Sequence, residues 1–215
     1  EVLEEIDGFY ARAEYAYKMS CVKQSVNASG IVSFDCGRHP LIDRKKVVPV
    51  TLSLGRDYRF LLISGPNTGG KTVTLKMVGL FCLMAMCGLF IPAKRAEVSV
   101  FREIYCDIGD SQSIEESLST FSSHVTNIVE IVDYADKNSL VLIDELGGGT
   151  DPDEGQALAK AVVSYLLRAG GTGVVTTHYS ALKEFAFATD GIENACMEFD
   201  SDTLRPLYVI KIGLP

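Results

Sequence analysis

The chain has 215 residues, of which 47% are hydrophobic, and this is enough material for one well-filled core. Its formal net charge of −8 has the wrong sign for a surface that neutralises nucleic-acid phosphates by itself, so we expect any DNA or RNA contact to come from other segments or from a partner. The most apolar run, residues 78–91, is shorter than the roughly 18 to 20 residues that cross a bilayer, which predicts a buried helix and no membrane partner.

The six cysteines form no CxxC pair and do not cluster with histidines. Four of them lie inside apolar runs. This pattern favours buried, reduced thiols over a disulfide framework or a metal site, and therefore predicts a cytoplasmic protein.

Hydrophobic periodicity divides the chain into a first helix and an alternating series of strands and helices. Apolar residues three or four apart predict a helix over 2–22, and turn residues place a boundary near Asn27. We therefore expect residues 1–26 to end a preceding domain and residues 27–215 to form the main domain. Strands are predicted at 31–34, 47–54, 59–64, 101–107, 140–143, 173–177, 195–200 and 206–212, and helices at 71–88, 119–137, 151–170 and 180–187.

The predicted order of elements indicates an α/β fold. The runs 59–64 and 140–143 are apolar on both faces, which is typical of interior parallel strands. Strands alternating with helices predict a doubly wound, mostly parallel sheet with helices on both faces and flanking β strands.

A glycine-rich segment, GPNTGGKT, fits the pattern GxxxxGK[ST] between a predicted strand and a predicted helix. Its glycines let backbone N–H groups turn inward around a nucleotide β-phosphate, at the positive end of the helix. Lys71 would contact the β and γ oxygens, and the Thr72 hydroxyl would bind Mg²⁺. A glycine turn with a solvated lysine is the alternative, but the strand–helix context favours an ATP site. The candidate ATP-binding residues are Gly65, Pro66, Asn67, Thr68, Gly69, Gly70, Lys71, Thr72 and Val73.

Two acidic residues, Asp144 and Glu145, directly follow the apolar run 140–143. Two acids that close a strand could be solvated surface charge. Together with the glycine-rich segment, they predict a Mg²⁺ ligand at Asp144 and, at Glu145, a group that orients or deprotonates the attacking water. His178 follows the next interior strand, where a γ-phosphate contact is favoured over a structural role. His124, inside a predicted helix, is interpreted as structural or solvated.

The segment Gly147–Gly149 follows Glu145 directly and is too rich in glycine for a mere connection. We expect the backbone of this loop to press against another chain. Ser119 and Thr120 open a predicted helix, where both could act as N-caps.

Four segments, in this order and spacing, resemble the ATPase domain of the MutS family: GPNTGGKT, DIGDSQSIEESLSTFSSH, LVLIDELGGGTDPDEG and TTHY. Mismatch-repair members usually carry GPNMGGKS and DEIGRGT, whereas this chain has Thr68, Thr72 and DELGGGT. The resemblance is therefore to the MutS-two branch. It implies an ABC-type P-loop ATPase fold in which two subunits pair head to tail, each completing the other's nucleotide site.

The resemblance also implies specific roles and partners. Asn67, Lys71 and Thr72 would bind phosphate and Mg²⁺, with ATP or ADP as the nucleotide, while Asp144, Glu145 and His178 would support hydrolysis. Ser119, and less directly Thr120, would face the γ-phosphate bound by the second subunit, and an apolar adenine platform would lie near Val48. The implied function is an ATPase that couples nucleotide state to branched DNA in recombination suppression, with ribosome quality control as a further role of the branch. The branch's dimerisation helix, stalk and Smr endonuclease domain are not among these 215 residues, as we would expect of a fragment.

The motifs are also compatible with two other functions. An ABC transporter subunit would carry LSGGQ, where this chain has LSTFS. A nucleotide-gated clamp on DNA or ribosomes, with negligible turnover, would need the same nucleotide site.

Overall fold

Strands and helices alternate along most of the computed structural model, which describes residues 2–109, 117–200, 202–203 and 205–213. The strands are β1 (Ser25–Asn27), β2 (Val32–Gly37), β3 (Val50–Leu54), β4 (Phe60–Ser64), β5 (Arg95–Ser99), β6 (Glu103–Asp107), β7 (Ser139–Ile143), β8 (Thr172–Thr177), β9 (Ile192–Phe199) and β10 (Pro206–Ile212). The helices are α1 (Val2–Met19), α2 (Lys71–Met86), α3 (Ser117–Tyr134), α4 (Pro152–Arg168) and α5 (Ser180–Phe187).

Six strands form the larger sheet, in the order β10-β9-β4-β8-β7-β6. Its neighbours are parallel except for β9 and β10, which pair antiparallel. Every residue of β4, β7 and β8 is buried, as expected of strands covered on both faces. The carboxyl ends of β4, β7 and β8 consequently lie side by side at one edge of the sheet.

The remaining strands form a second sheet, in the order β1-β5-β2-β3. Only β1 and β5 are parallel, while β2 pairs antiparallel with both β3 and β5. The predicted fold class, an ABC-type P-loop fold with a doubly wound, mostly parallel sheet and flanking β strands, is therefore wrong: the strands form two separate sheets, and both are mixed. The second sheet could not be predicted because two of its strands, β1 and β5, are short and partly polar and were not recognised as strands.

Two apolar clusters cover the two faces of the larger sheet. One joins that sheet to α2 and to the smaller sheet, around Phe34, Phe81 and Leu142. The other lies under α3, α4 and α5, around Phe60, Val163 and Leu182. The prediction that the apolar run 78–91 is a buried helix is confirmed only in part: α2 ends within the run at Met86, and Leu83, Met86 and Phe90 are exposed.

Helix α1 has no buried residue, and its apolar side chains Leu3, Ile6 and Phe9 are exposed. The predicted division at residue 26 stays a prediction. Among the described residues, no helix is long and apolar enough to cross a membrane.

Candidate functional site

The glycine-rich loop joins β4 to α2 through one 3-10 turn, Asn67–Gly69. Gly65 and Gly70 both adopt positive φ, 125° and 95°, and Gly70 precedes the first residue of α2. A Cβ at Gly69 would lie 3.0 Å from the Cβ of Met197, so the loop also packs closely on β9. The N-terminal N–H groups of α2 face the loop, which makes this an anion-binding arrangement.

Lys71, the first residue of α2, is only 1% exposed. Its ammonium donates a hydrogen bond to the carbonyl oxygen of Gly65. Burial lowers the pKa of Lys71, while the carboxylates of Glu145 and Asp144 partly offset that effect. The lysine is thus folded back across the base of its own loop, with two acidic groups close by.

Two hydroxyl groups and one carboxylate connect α2, β8 and the residue that follows β7. Thr72 Oγ1 donates a 2.6 Å hydrogen bond to Asp144 Oδ2. Thr176 Oγ1 donates to the other oxygen, Asp144 Oδ1, and accepts a 2.8 Å hydrogen bond from the backbone N–H of Glu145. Thr176 belongs to the site but was not predicted, because a threonine inside an apolar strand gives no sequence signal.

Glu145 has a φ of 51°, a left-handed conformation that non-glycine residues rarely adopt. Its carbonyl oxygen accepts a hydrogen bond from Gly148, and the N–H of the next residue, Leu146, donates 3.1 Å to the carbonyl of Thr176. These bonds hold the chain in a tight turn after β7. Strained backbone held in this way is concentrated at functional sites.

His178 directly follows β8 and is exposed. Its ring lies 4.2 Å from the ring of Tyr179, centroid to centroid. Tyr179 is buried, and its hydroxyl donates a 3.0 Å hydrogen bond to the carbonyl of Gly147. Tyr179, which was not predicted as a site residue, therefore ties the chain next to His178 to the turn at Gly147.

The glycine-rich turn after Glu145 packs within this chain. Gly147 and Gly149 have positive φ, 85° and 83°. A Cβ on either Gly147 or Gly155 would overlap the other residue's carbonyl oxygen, so the turn lies directly on the first turns of α4. A Cβ on Gly148 would lie 3.0 Å from the Glu145 carbonyl. Contacts within one subunit therefore account for these glycines, and the expected contact with another chain is not needed to explain them.

His124 joins α3 to the sheet. Its Nδ1 lies 2.8 Å from Oδ2 of the buried Asp107, and Asn127 Nδ2 donates 3.1 Å to Oδ1 of the same carboxylate. This agrees with the structural interpretation of His124. Asp107 and Asn127 were not singled out from the sequence.

A largely apolar cavity of about 360 Å³ opens beside the glycine-rich loop. Val48, the predicted adenine platform, lies in its wall with Gly70 and Val73. Tyr208 of β10 also lines the cavity, at a bulge where its φ is 57°. His39 contributes a polar edge, and its pKa is lowered by burial and by the nearby Lys76. Tyr208 supplies an aromatic ring that the sequence pattern near Val48 lacks.

The side chains of three candidates lie outside the described residues. Asn67 lies in the 3-10 turn, while Ser119 and Thr120 lie in the first turn of α3. Their predicted roles stay predictions.

The Thr72–Asp144 pair suits Mg²⁺, because this ion commonly takes only one or two ligands from the protein and binds water or phosphate at its remaining positions. In the described parts of the chain, no three His, Cys, Asp or Glu side chains cluster as a metal site.

Comparison with known proteins identifies the family. A family model for MutS domain V matches residues 61–213. The protein named Endonuclease MutS2 in Caldanaerobacter subterraneus is 55% identical over 216 aligned residues, covering 100% of this chain and 27% of that protein. The protein of the same name in Clostridium botulinum is 55% identical over 215 residues, and that in Clostridium acetobutylicum 54% over 216, with the same coverage.

The chain thus spans about 27% of the length of these relatives. The family model covers well over half of the chain, and the predicted family is confirmed. The chain belongs to the MutS family, through its domain V, and its identity to MutS2 proteins over its whole length supports the MutS2 branch.

Proposed function

We propose that this chain binds ATP with Mg²⁺ at the loop Gly65–Thr72 and hydrolyses it. The observation that carries the proposal is the 2.6 Å hydrogen bond between Thr72 Oγ1 and Asp144 Oδ2. It brings the hydroxyl that ends the glycine-rich motif to the carboxylate that directly follows β7, although the two residues are far apart in sequence. A paired hydroxyl and carboxylate beside an anion-binding helix end is what a phosphate-bound Mg²⁺ requires.

Each group at this end of the sheet has a distinct role in the proposal. The loop N–H groups and the Lys71 ammonium bind the β and γ phosphates, which requires Lys71 to exchange the Gly65 carbonyl for phosphate oxygen. Thr72 and Asp144 hold Mg²⁺, which when bound would neutralise charge on the phosphate oxygens. Glu145, held by Thr176, orients or deprotonates the attacking water, and His178 contacts the γ-phosphate.

The cavity beside the loop is the proposed base pocket. It adjoins the loop at Gly70 and Val73, at the end of α2 where the phosphates would bind. Apolar side chains such as Val48 and the ring of Tyr208 offer the contacts that a purine face prefers. ATP would thus lie with its phosphates on the glycine-rich loop and its adenine beside Val48 and Tyr208.

The wider role of the intact protein is also a proposal. Two subunits would pair head to tail, with Ser119 of one completing the site of the other and Thr120 beside it. Nucleotide state would control binding of branched DNA, in recombination suppression, and of ribosomes, through segments outside this chain. The net charge of −8 agrees with DNA contacts lying elsewhere.

Two substitutions in the full-length protein test the ATPase proposal. Lys71→Ala should abolish MgATP binding, because the ammonium contributes charge already in the bound ground state. Glu145→Gln should keep binding within about threefold and lose turnover by about a hundredfold or more, because its role is in the transition state. The exposed residues Lys94 and Glu130 provide matched controls, Lys94→Ala and Glu130→Gln, which should behave as wild type.

Calorimetric binding and steady-state phosphate release separate the outcomes. Normal MgATP affinity in Lys71→Ala would overturn the site assignment. A wild-type protein that binds MgATP but shows no turnover with or without branched DNA would favour the nucleotide-gated clamp instead.

A further inference from the structure

Asp107 ends β6 with its carboxylate almost completely buried, since the residue is 3% exposed. Both carboxylate oxygens are used by α3: His124 Nδ1 lies 2.8 Å from Oδ2, and Asn127 Nδ2 lies 3.1 Å from Oδ1. A carboxylate only accepts hydrogen bonds, so Nδ1 of His124 is the protonated nitrogen. Burying a charged group costs free energy that an apolar contact would not. Because hydrogen bonds are directional, the two contacts to Asp107 hold α3 in a defined position against β6.

The main chain of Asp107 connects this link to the nucleotide site. Its carbonyl oxygen accepts a 2.9 Å hydrogen bond from the backbone N–H of Asp144, whose side chain in turn binds Thr72. A single residue thus joins α3 on one side and the proposed Mg²⁺ ligand on the other.

Gly109, two residues after Asp107, lies close to the same histidine. A Cβ at Gly109 would lie 3.1 Å from Cε1 and 3.2 Å from Nε2 of the His124 ring. These distances are closer than a side chain there could tolerate without movement of the ring. A residue with a side chain at position 109 would therefore displace the His124 ring.

We propose that Asp107 is a positioning residue, which with His124 and Asn127 fixes α3 relative to Asp144. The inference rests on the proposed ATPase function and adds a group to it. Since α3 begins at Ser117, Ser119 lies little more than one turn before His124 on the same helix. The glycine-rich loop is not part of this group of three residues. Loss of the hydrogen bonds to Asp107 should therefore leave ATP binding intact but impair hydrolysis, which depends on finer geometry.

Substitutions at His124 in the full-length protein test this directly. His124→Leu removes the hydrogen bond to Asp107, whereas in His124→Asn the amide nitrogen can take the place of Nδ1. Asp107→Asn weakens the link from the other side. Asp136→Asn is the control, because Asp136 accepts a 2.8 Å hydrogen bond from Asn138 just beyond the far end of α3.

Turnover is expressed per molecule of bound nucleotide, so that partial unfolding does not count as lost activity. We expect His124→Leu and Asp107→Asn to keep the Kd for MgATP within about twofold and to lose about tenfold or more in kcat. His124→Asn should recover most of that loss, and Asp136→Asn should lower only the Tm. The double variant Asp107→Asn/His124→Leu should be no slower than the slower single variant, because both changes break one link.

The failures of the two proposals can be told apart. If wild type hydrolyses ATP and Lys71→Ala does not bind it, but His124→Leu keeps kcat within twofold, the positioning role is wrong and the ATPase proposal stands. Equal loss of kcat in His124→Asn and His124→Leu would also overturn the positioning role. If the wild type shows no turnover, both proposals fall.

Discussion

The hydroxyl of Thr176 accepts a 2.8 Å hydrogen bond from the backbone N–H of Glu145, so β8 holds the turn that follows β7. The same hydroxyl donates to Asp144. One neutral side chain from the neighbouring strand therefore contacts the carboxylate of Asp144 and the backbone of Glu145.

Thr176→Val keeps the shape of this side chain and removes both hydrogen bonds. We expect a loss of about 1 to 3 kcal/mol in the free energy of unfolding, because Asp144 loses a buried partner. We also expect weaker binding of MgATP, with ATP binding in excess EDTA little changed. Denaturant melts and calorimetry measure these effects. Thr172→Val, at the other end of β8, is the control, and identical behaviour of the two variants would contradict the role of Thr176.

Lys71→Met should stabilise the nucleotide-free protein while abolishing nucleotide binding. Burial lowers the pKa of Lys71 from its ordinary 10.5, so the folded state holds this proton less tightly than the unfolded state does. The resulting cost to stability is fully present below the lowered pKa and disappears as the pH rises toward 10.5.

The Tm of Lys71→Met should therefore exceed that of wild type at pH 7, by roughly 2 to 4 °C if the cost is about 1 kcal/mol. The difference should shrink between pH 7 and 10.5. Thermal melts of both proteins across this range check the sign. A difference that is zero or negative at pH 7, or that grows with pH, would contradict the argument.

Gly155→Ala should destabilise the protein, although alanine is normally the better helix residue. The new methyl group would overlap the carbonyl oxygen of Gly147 and approach the Tyr179 hydroxyl to 2.9 Å. We expect a loss of about 1 to 3 kcal/mol, as for other overpacked sites. Gly8→Ala in α1 is the matched control, because its nearest contact is Arg12 at 3.8 Å, and it should gain about 0.5 to 1 kcal/mol. Denaturant melts in which both variants shift in the same direction would count against the close packing at Gly155.

Tyr208→Ala should weaken ATP binding by roughly two- to twelvefold, the effect of losing about 0.5 to 1.5 kcal/mol of aromatic contact. Tyr208→Phe should bind normally, because the proposed contact uses the ring face. Tyr165 on α4 is equally exposed, at 45%, and lies outside the cavity wall, so Tyr165→Ala is the control. Equal affinities for Tyr208→Ala and Tyr165→Ala, measured by titration, would place the base elsewhere.

Mixing two inactive full-length variants, Lys71→Ala and Ser119→Ala, tests the shared site. If Ser119 acts across the dimer, a mixed dimer has one site with both defects and one with neither. With random pairing and independent sites, turnover should recover to about a quarter of wild type. If Ser119 only caps α3, every site keeps one defect. A mixture as inactive as its parents, with subunit exchange shown separately, would leave Ser119 as a cap.

Local patterns in the sequence were sufficient to locate the main elements and the charged candidates. The buried strand β4 is followed at once by glycines and then by the helix of Lys71, and β7 is followed at once by Asp144 and Glu145. Each motif is continuous in sequence, so it can be recognised without knowing the fold. The strands β1 and β5 could not be found in this way, because β5 pairs with β1 and with β2, which are both far from it in the chain.

What only the tertiary structure decided is which residues meet. Asp144 is reached by Thr72 of α2 and Thr176 of β8, and its backbone by Asp107 of β6, because parallel strands bring their carboxyl ends to one edge. Tyr208 reaches the cavity of Val48 through a bulge in the last strand. The sequence by itself determined the chemical groups and their local order, since backbone conformation and hydrophobic period are local properties. Strand order and packing set the distances among those groups, because they depend on contacts between residues far apart in the chain.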